Sequence, residues 1–295
     1  MRSLAVVGAL WFLAASSLAT AQIQVSAQTS RTNFLLFERV DLSVTITNLG
    51  DTDLILNNDE GQPWLSFLVS HHTEHNYLPV RPERDSNFQP LTLKAGASKT
   101  LRINLTPLFA FREEGDYRAA AVIDLPGQGQ VISDNVPFTI LNGHKVWSQL
   151  HTVDGDQRVY SLIRFSPGPD STSLYLRVES PNENLVYANL SLGELISNID
   201  PDVYFDPAGN VHVLNPFAMG TYLYTRANPD GKVVHQGVFK TYNQIPPRLR
   251  KLPDGNVIVV GGLEVDPTAP REKLSNGQVA RQTPAPTDPP VAAPQ

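Results

Sequence analysis

The sequence predicts an all-β protein, and three observations carry that expectation. Proline (24) and glycine (19) are distributed as punctuation through a chain of 295 residues. Between them the apolar residues fall in short runs, such as Val40-Asp41-Leu42-Ser43-Val44-Thr45-Ile46-Thr47, where apolar and polar positions alternate with the period of two expected of a half-buried strand. Turn clusters such as Asn48-Leu49-Gly50-Asp51, rich in residues that tolerate the left-handed region, close those runs.

The chain opens with a segment that is not part of this pattern. Arg2 supplies a positive charge, Leu4 to Leu13 is apolar but too short to cross a bilayer, and Ala19-Thr20-Ala21 has the small-x-small form accepted by signal peptidase. Residues 1–21 therefore read as a signal peptide, with the mature protein starting near Gln22 in a periplasmic or secreted location. No other apolar run reaches spanning length. The absence of cysteine excludes a lipoprotein anchor, disulfides, a thiol nucleophile and thiolate metal sites. A net charge of −6 with scattered basic residues gives no footprint for nucleic acid or an anionic membrane surface.

Strand-like runs continue at Asp53 to Leu56, Trp64 to Val69, Lys99 to Leu105, Tyr117 to Ile123 and Val136 to Ile140. Six or seven short strands in about 120 residues, with turns between them, predict a β-sandwich over residues 22–142. The order Val40 to Gly50, then Leu93 to Thr100, then Glu114-Gly115-Asp116-Tyr117-Arg118-Ala119 resembles the bacterial immunoglobulin-like domains of envelope proteins, with a layout similar to the proteinase-inhibitor type. The resemblance implies that Tyr117 packs at a strand corner. It implies no activity, because this sandwich hosts adhesion, spacing, inhibition and ligand binding alike.

Residues 143–265 carry an internal repeat. Asp206-Pro207-Ala208-Gly209-Asn210-Val211-His212-Val213 recurs as Leu252-Pro253-Asp254-Gly255-Asn256-Val257-Ile258-Val259, 46 positions later. Leu174 to Val186 resembles Tyr222 to Val234, with Pro181 and Pro229 48 positions apart. Each unit reads as four short strands, a pattern similar to β-propeller blades. The units are Lys145 to about Leu192, Asp200 to Tyr242, and half a unit from Pro246 to Gly262. Closed propellers normally need four blades, so two architectures stay open: a β-meander, or a partial propeller-like array completed by another copy or chain. Residues 266–295 are proline-rich and read as a disordered tail.

Few residues invite chemistry. His71-His72-Thr73-Glu74-His75 is the one dense group of imidazoles, and His71, His72 and His75 would reach a metal if the segment made a helical turn. The strand-into-loop pattern, with Pro79 and Pro82 following, favours a solvated loop. Tyr222 and Tyr224 share one strand face, which would form a stacking platform for a sugar or peptide if it were exposed. The acid pairs Asp154/Asp156, Asp200/Asp202 and Glu113/Glu114 and the single Asp206 select no glycosidase geometry, and Asp154, Asp230 and Asp254 beside glycine read as turn caps. No nucleophile elbow or phosphate-cradling loop is present.

These readings assign no catalytic residue and no cofactor. They lead to an exported, non-enzymatic envelope or secreted interaction protein with a protein or carbohydrate partner. The alternatives are a hydrolase or lyase using carboxylates with His212 or His235 on the repeat, and weak metal binding by the histidine loop.

Overall fold

In the computed structural model, residues 23–58, 62–71, 77–81, 88–125, 127–153, 155–169, 171–183, 185–196 and 199–265 are described. The signal-like segment 1–21, the tail 266–295, His72, His75 and Asp154 lie outside the described residues. Among the described residues every regular element is a strand.

Ten strands precede Asn142: β1 (Ile23–Thr29), β2 (Asn33–Leu35), β3 (Asp41–Asn48), β4 (Leu54–Leu56), β5 (Leu65–His71), β6 (Leu91–Leu93), β7 (Ser98–Asn104), β8 (Gly115–Leu125), β9 (Gly129–Ile132) and β10 (Val136–Leu141). The alternation read from Val40 to Thr47 is realised in β3, where Leu42, Val44 and Ile46 are fully buried. β3 lies between β1 and β7 in one antiparallel sheet. A second sheet has the order β2-β10-β8-β5, with β9 pairing on β8 and β2 running parallel to β10. The inner faces of both sheets meet in one cluster that includes Leu42, Ile46, Trp64, Val69, Tyr117 and Phe138. Each such side chain contributes roughly 1.5–3 kcal/mol of burial free energy. β4 and β6 pair separately as a short ribbon at the rim.

The region expected to carry Tyr117 at a corner does so. Tyr117 is buried, its hydroxyl donates to the carbonyl of Glu113 at 2.8 Å, and its ring stacks on Phe138 at 5.6 Å.

The second region is serial. β11 (His144–Val153), β12 (Asp156–Gly168), β13 (Ser171–Glu179) and β14 (Val186–Glu194) form one four-stranded antiparallel meander. β15 (Asp202–Phe205), β16 (Val211–Ala218), β17 (Thr221–Ala227) and β18 (Val233–Lys240) form the next. β19 (Arg248–Lys251) and β20 (Val257–Val260) form a lone hairpin, after which β21 (Leu263–Val265) returns to pair on the outer edge of β18. Tyr160, Leu176, Val178, Phe205, Val211 and Val213 share the core between the first two meanders. Leu214, Tyr222, Tyr224, Leu249 and Val257 fill the one beneath the hairpin.

Candidate functional site

The repeat positions the polar chemistry of this region. Asp206-Pro-Ala-Gly209-Asn210, Asn228-Pro-Asp-Gly231-Lys232 and Leu252-Pro-Asp-Gly255-Asn256 are three copies of one turn. In each the glycine amide donates to the carbonyl of the first residue (3.1, 2.8 and 2.9 Å), and the first residue's amide donates to the carbonyl of the fifth (3.1, 2.9 and 2.8 Å). The glycines hold φ of +77°, +75° and +87°, where a Cβ is strained. The Ser180 to Leu185 connection occupies the corresponding place between β13 and β14 but is one residue longer, closing through Ser180 N to Leu185 O.

Inside the first of these turns lies the most organised titratable group of the region. The Asp206 carboxylate accepts from the amides of Ala208 and Asn210 (both 2.9 Å), from Asn210 Nδ2 (2.8 Å) and from His212 Nε2 (3.1 Å). His212 Nδ1 stands 2.8 Å from the Tyr224 hydroxyl. Since a carboxylate only accepts, the His212 proton sits on Nε2 and Tyr224 donates to Nδ1. Burial pushes the Asp206 pKa up, but the bonds from Asn210 and His212 outweigh it and leave the group below its ordinary value. Burial likewise pulls His212 down, and Asp206 only partly offsets that. Tyr224 is raised by burial. Asp206, His212 and Tyr224 thus form an acid–imidazole–hydroxyl relay, yet His212 is 2 % exposed and the carboxylate is saturated by its own turn. In this arrangement the relay locks a turn to the strand two places away.

The open concavity lies elsewhere, between β15 and the β19–β20 hairpin, lined by Tyr204, Ile245, Arg248, Arg250, Lys251 and Val260. Asp202 bridges the two elements, accepting from Arg248 Nη1 at 3.3 Å and from the Leu249 amide at 3.1 Å. Arg250 and Lys251 have no carboxylate partner among the described residues, and Tyr204 is 41 % exposed. The groove is therefore cationic, with an aromatic ring at its border.

The residues singled out from sequence are dispersed. His71 ends β5 opposite Tyr117, with the ring centroids 4.6 Å apart, and its Nε2 lies 2.3 Å from where a Cβ on Gly115 would sit. That imidazole is packed on β8, and glycine at 115 makes room for it. Among the described residues no group of three or more histidine or acidic side chains is arranged to hold a metal. The expected platform of Tyr222 and Tyr224 is corrected: both are 7 % exposed, because the β19–β20 hairpin covers the face they share and Tyr224 is engaged by His212. Asp230 holds Arg158 at 3.0 Å, while Glu114 accepts from Asn142 at 3.1 Å. His235 is exposed, 4.0 Å from Glu264. His235 stands apart from the relay's polar atoms, although its ring approaches Tyr224 at 5.7 Å.

One polar cluster has no counterpart in the sequence reading. Glu38, in the β2–β3 loop, pairs with Arg31 and accepts from the Tyr175 hydroxyl at 2.6 Å and the Leu35 amide at 2.9 Å. Arg177 donates to the Leu36 carbonyl at 2.7 Å and stacks on Phe37, whose φ is +65°. Burial and Glu38 push the Tyr175 pKa well up, and burial pulls Arg177 down. This cluster ties the first meander to the N-terminal sheets across 137 and 141 positions of sequence. No local motif announces it.

No family model and no curated protein matches the chain. Among solved structures, a β-glucosidase from Erythrobacter marinus is 19 % identical over 40 % of this chain and 15 % of its own length, with a TM-score of 0.29. The sporulation control protein Spo0M from Bacillus subtilis is 8 % identical over 54 % of this chain and 80 % of its own, also with a TM-score of 0.29. The YadV chaperone is 10 % identical over 74 % and 99 %, with a TM-score of 0.23. The matched part of this chain spans about one seventh of the β-glucosidase, and at these scores none of the three assigns a fold family or an activity.

Proposed function

We propose that this chain is an exported, non-enzymatic interaction protein of a bacterial envelope, in which an immunoglobulin-like sandwich carries a propeller-like repeat whose open end receives an acidic partner. The corner role of Tyr117 and the single core between two sheets support the first element. The three superposable Pro-x-Gly turns support the second. The observation that carries the functional reading is the groove: Arg250 and Lys251 are exposed with no carboxylate partner among the described residues, beside an exposed tyrosine. Such a surface attracts acidic ligands and steers them at low salt.

Titration of the purified chain with a hexaglutamate peptide tests this. Saturable binding that weakens with salt and falls at least tenfold in the double variant Arg250→Glu, Lys251→Glu is the expected result. No binding at low salt, or equal binding by the variant, removes the reading. N-terminal sequencing of extracytoplasmic material tests export, with a start at Gln22 expected and retention of Met1 overturning it. The hydrolase alternative has one observation in its favour, the Asp206–His212–Tyr224 relay. Against it, His212 and Tyr224 are buried and the half-buried Asp206 carboxylate is taken up by the amides of its own turn.

A further inference from the structure

The last hairpin of the repeat is missing its third strand. In the second meander the backbone of Val211 and Val213 faces β17, which pairs with them through Ala227 and Thr225. Val257 and Val259 are the same positions 46 residues later. The Leu252 amide donates to Asn256 at 2.8 Å, so the narrow pairs of the hairpin are Leu252–Asn256, Arg250–Ile258 and Arg248–Val260. By the alternation of antiparallel ladders, the amides and carbonyls of Val257 and Val259 point away from β19. Among the described residues nothing pairs with that edge. The next strand of the chain is committed elsewhere: after Gly261 and Gly262, β21 joins β18.

We propose that the free edge of β20 pairs with β20 of a second copy of this chain, antiparallel about a twofold axis through Ile258. This does not rest on the acidic-partner reading, since it uses a strand edge and not the cationic groove. Val257 of each copy then forms a narrow pair with Val259 of the other, satisfying every outward backbone group of the two residues, and two hairpins make one four-stranded sheet like the preceding meanders. The segment Val257-Ile258-Val259-Val260 is uncharged, strongly β-forming and free of the proline, lysine or bulge that protects natural edges. The nearest cations, Arg250 of the two copies, stand three strand spacings apart, roughly 14 Å, beyond the ~8 Å screening length at physiological salt. Ile258, 41 % exposed, meets its own counterpart at the axis. The tail is the poorer occupant: it departs from Val265 on the opposite edge of the neighbouring sheet, and seven of its 30 residues are proline. Four residues per copy make a contact well below the roughly 1,200 Å² of stable interfaces, so association belongs at high concentration.

Sedimentation velocity on the purified chain should give a monomer at low concentration and a growing dimer fraction toward about 500 µM, the regime of a small interface. Val259→Pro removes an amide that serves only an outside partner and should abolish the dimer with an unchanged circular dichroism spectrum. Because the chain has no cysteine, Ile258→Cys is a clean probe. It should oxidise to a disulfide dimer at least tenfold faster than Leu150→Cys, another exposed edge-strand position. A monomer at every concentration, or equal oxidation of the two variants, overturns the proposal. Peptide-level hydrogen exchange separates the tail: slow exchange of 257–259 at low concentration means cis occupancy and overturns it, whereas protection that appears only with the dimer supports it.

Discussion

The two regions bury their apolar residues in different ways. In the N-terminal region two sheets enclose one core, twenty-four buried side chains among the described residues, so β3 cannot loosen without exposing β8. In the C-terminal region the sheets are stacked in series, and the last interface holds five buried residues. A shared core makes a domain cooperative, whereas serial packing gives stability as a sum of nearest-neighbour terms that thins toward the open end. Trp64→Ala is therefore expected to cost about 4 kcal/mol and to lower the global melting transition. Leu249→Ala should cost about 2 kcal/mol and chiefly speed hydrogen exchange in the last hairpin. Equal effects on the main transition would break the comparison.

The junction decides how far the regions behave as separate units. Leu35 packs with Ile163, Phe165 and Tyr175, and Glu38, held on its own side by Arg31, receives Tyr175 across the boundary near Gly143. Glu38→Ala leaves the half-buried Arg31 guanidinium and the buried Tyr175 hydroxyl without their acceptor, which costs about 2 kcal/mol. It should also split thermal unfolding into two transitions. A single transition at the original temperature would mean that the cluster contributes nothing to the coupling.

The three equivalent turn glycines grade the serial packing more finely. A Cβ at Gly231 would lie 2.1 Å from Ala188 Cβ on the neighbouring sheet, one at Gly255 2.8 Å from Pro207 Cγ, and one at Gly209 no closer than 3.4 Å to Pro229. All three pay the left-handed strain of roughly 1–2 kcal/mol, and overlap adds more at the first two. Valine should thus cost about 3 kcal/mol at 231, about 2 at 255 and about 1 at 209 in denaturant titrations. Equal losses would mean that backbone strain alone matters and that the sheets do not press on their neighbours' turns.

Local sequence made the strands and these turns legible, because alternation and Pro-x-Gly spacing act within a few residues. Val211 and Val257 were visible as equivalents for that reason. Whether a strand face is covered depends on what folds over it: Tyr222 and Tyr224 would be a platform only on an exposed face, and β19 and β20 lie across them. The Glu38–Tyr175 contact joins positions 137 apart, and the β20 edge is open only because β21 goes to β18. Neither has a local signature. His212 was named as a candidate group, but its pairing with Tyr224 follows from the register of β16 and β17, which places residues 12 apart within reach.

The smallest expected effect concerns the relay, and it separates a locked turn from a responsive site. His212 is held neutral, its pKa lowered first by burial, while the unfolded chain titrates near the ordinary value of about 6.5. Above that pH both states are neutral and stability is flat. As pH falls through about 6.5 the unfolded chain takes up a proton that the native state refuses, so stability drops until the native pKa is reached. Asp206, also lowered, adds a second loss only below about 4, where the unfolded carboxylate protonates first. Denaturant titrations at pH 7.5 and 5.5 should therefore show wild type losing stability between the two, and His212→Gln, although less stable overall, losing less. The measured quantity is the difference between the two proteins. If the slopes coincide, His212 accepts a proton in the native state as readily as in the unfolded chain, and the relay is open to solvent in a way that a turn lock is not.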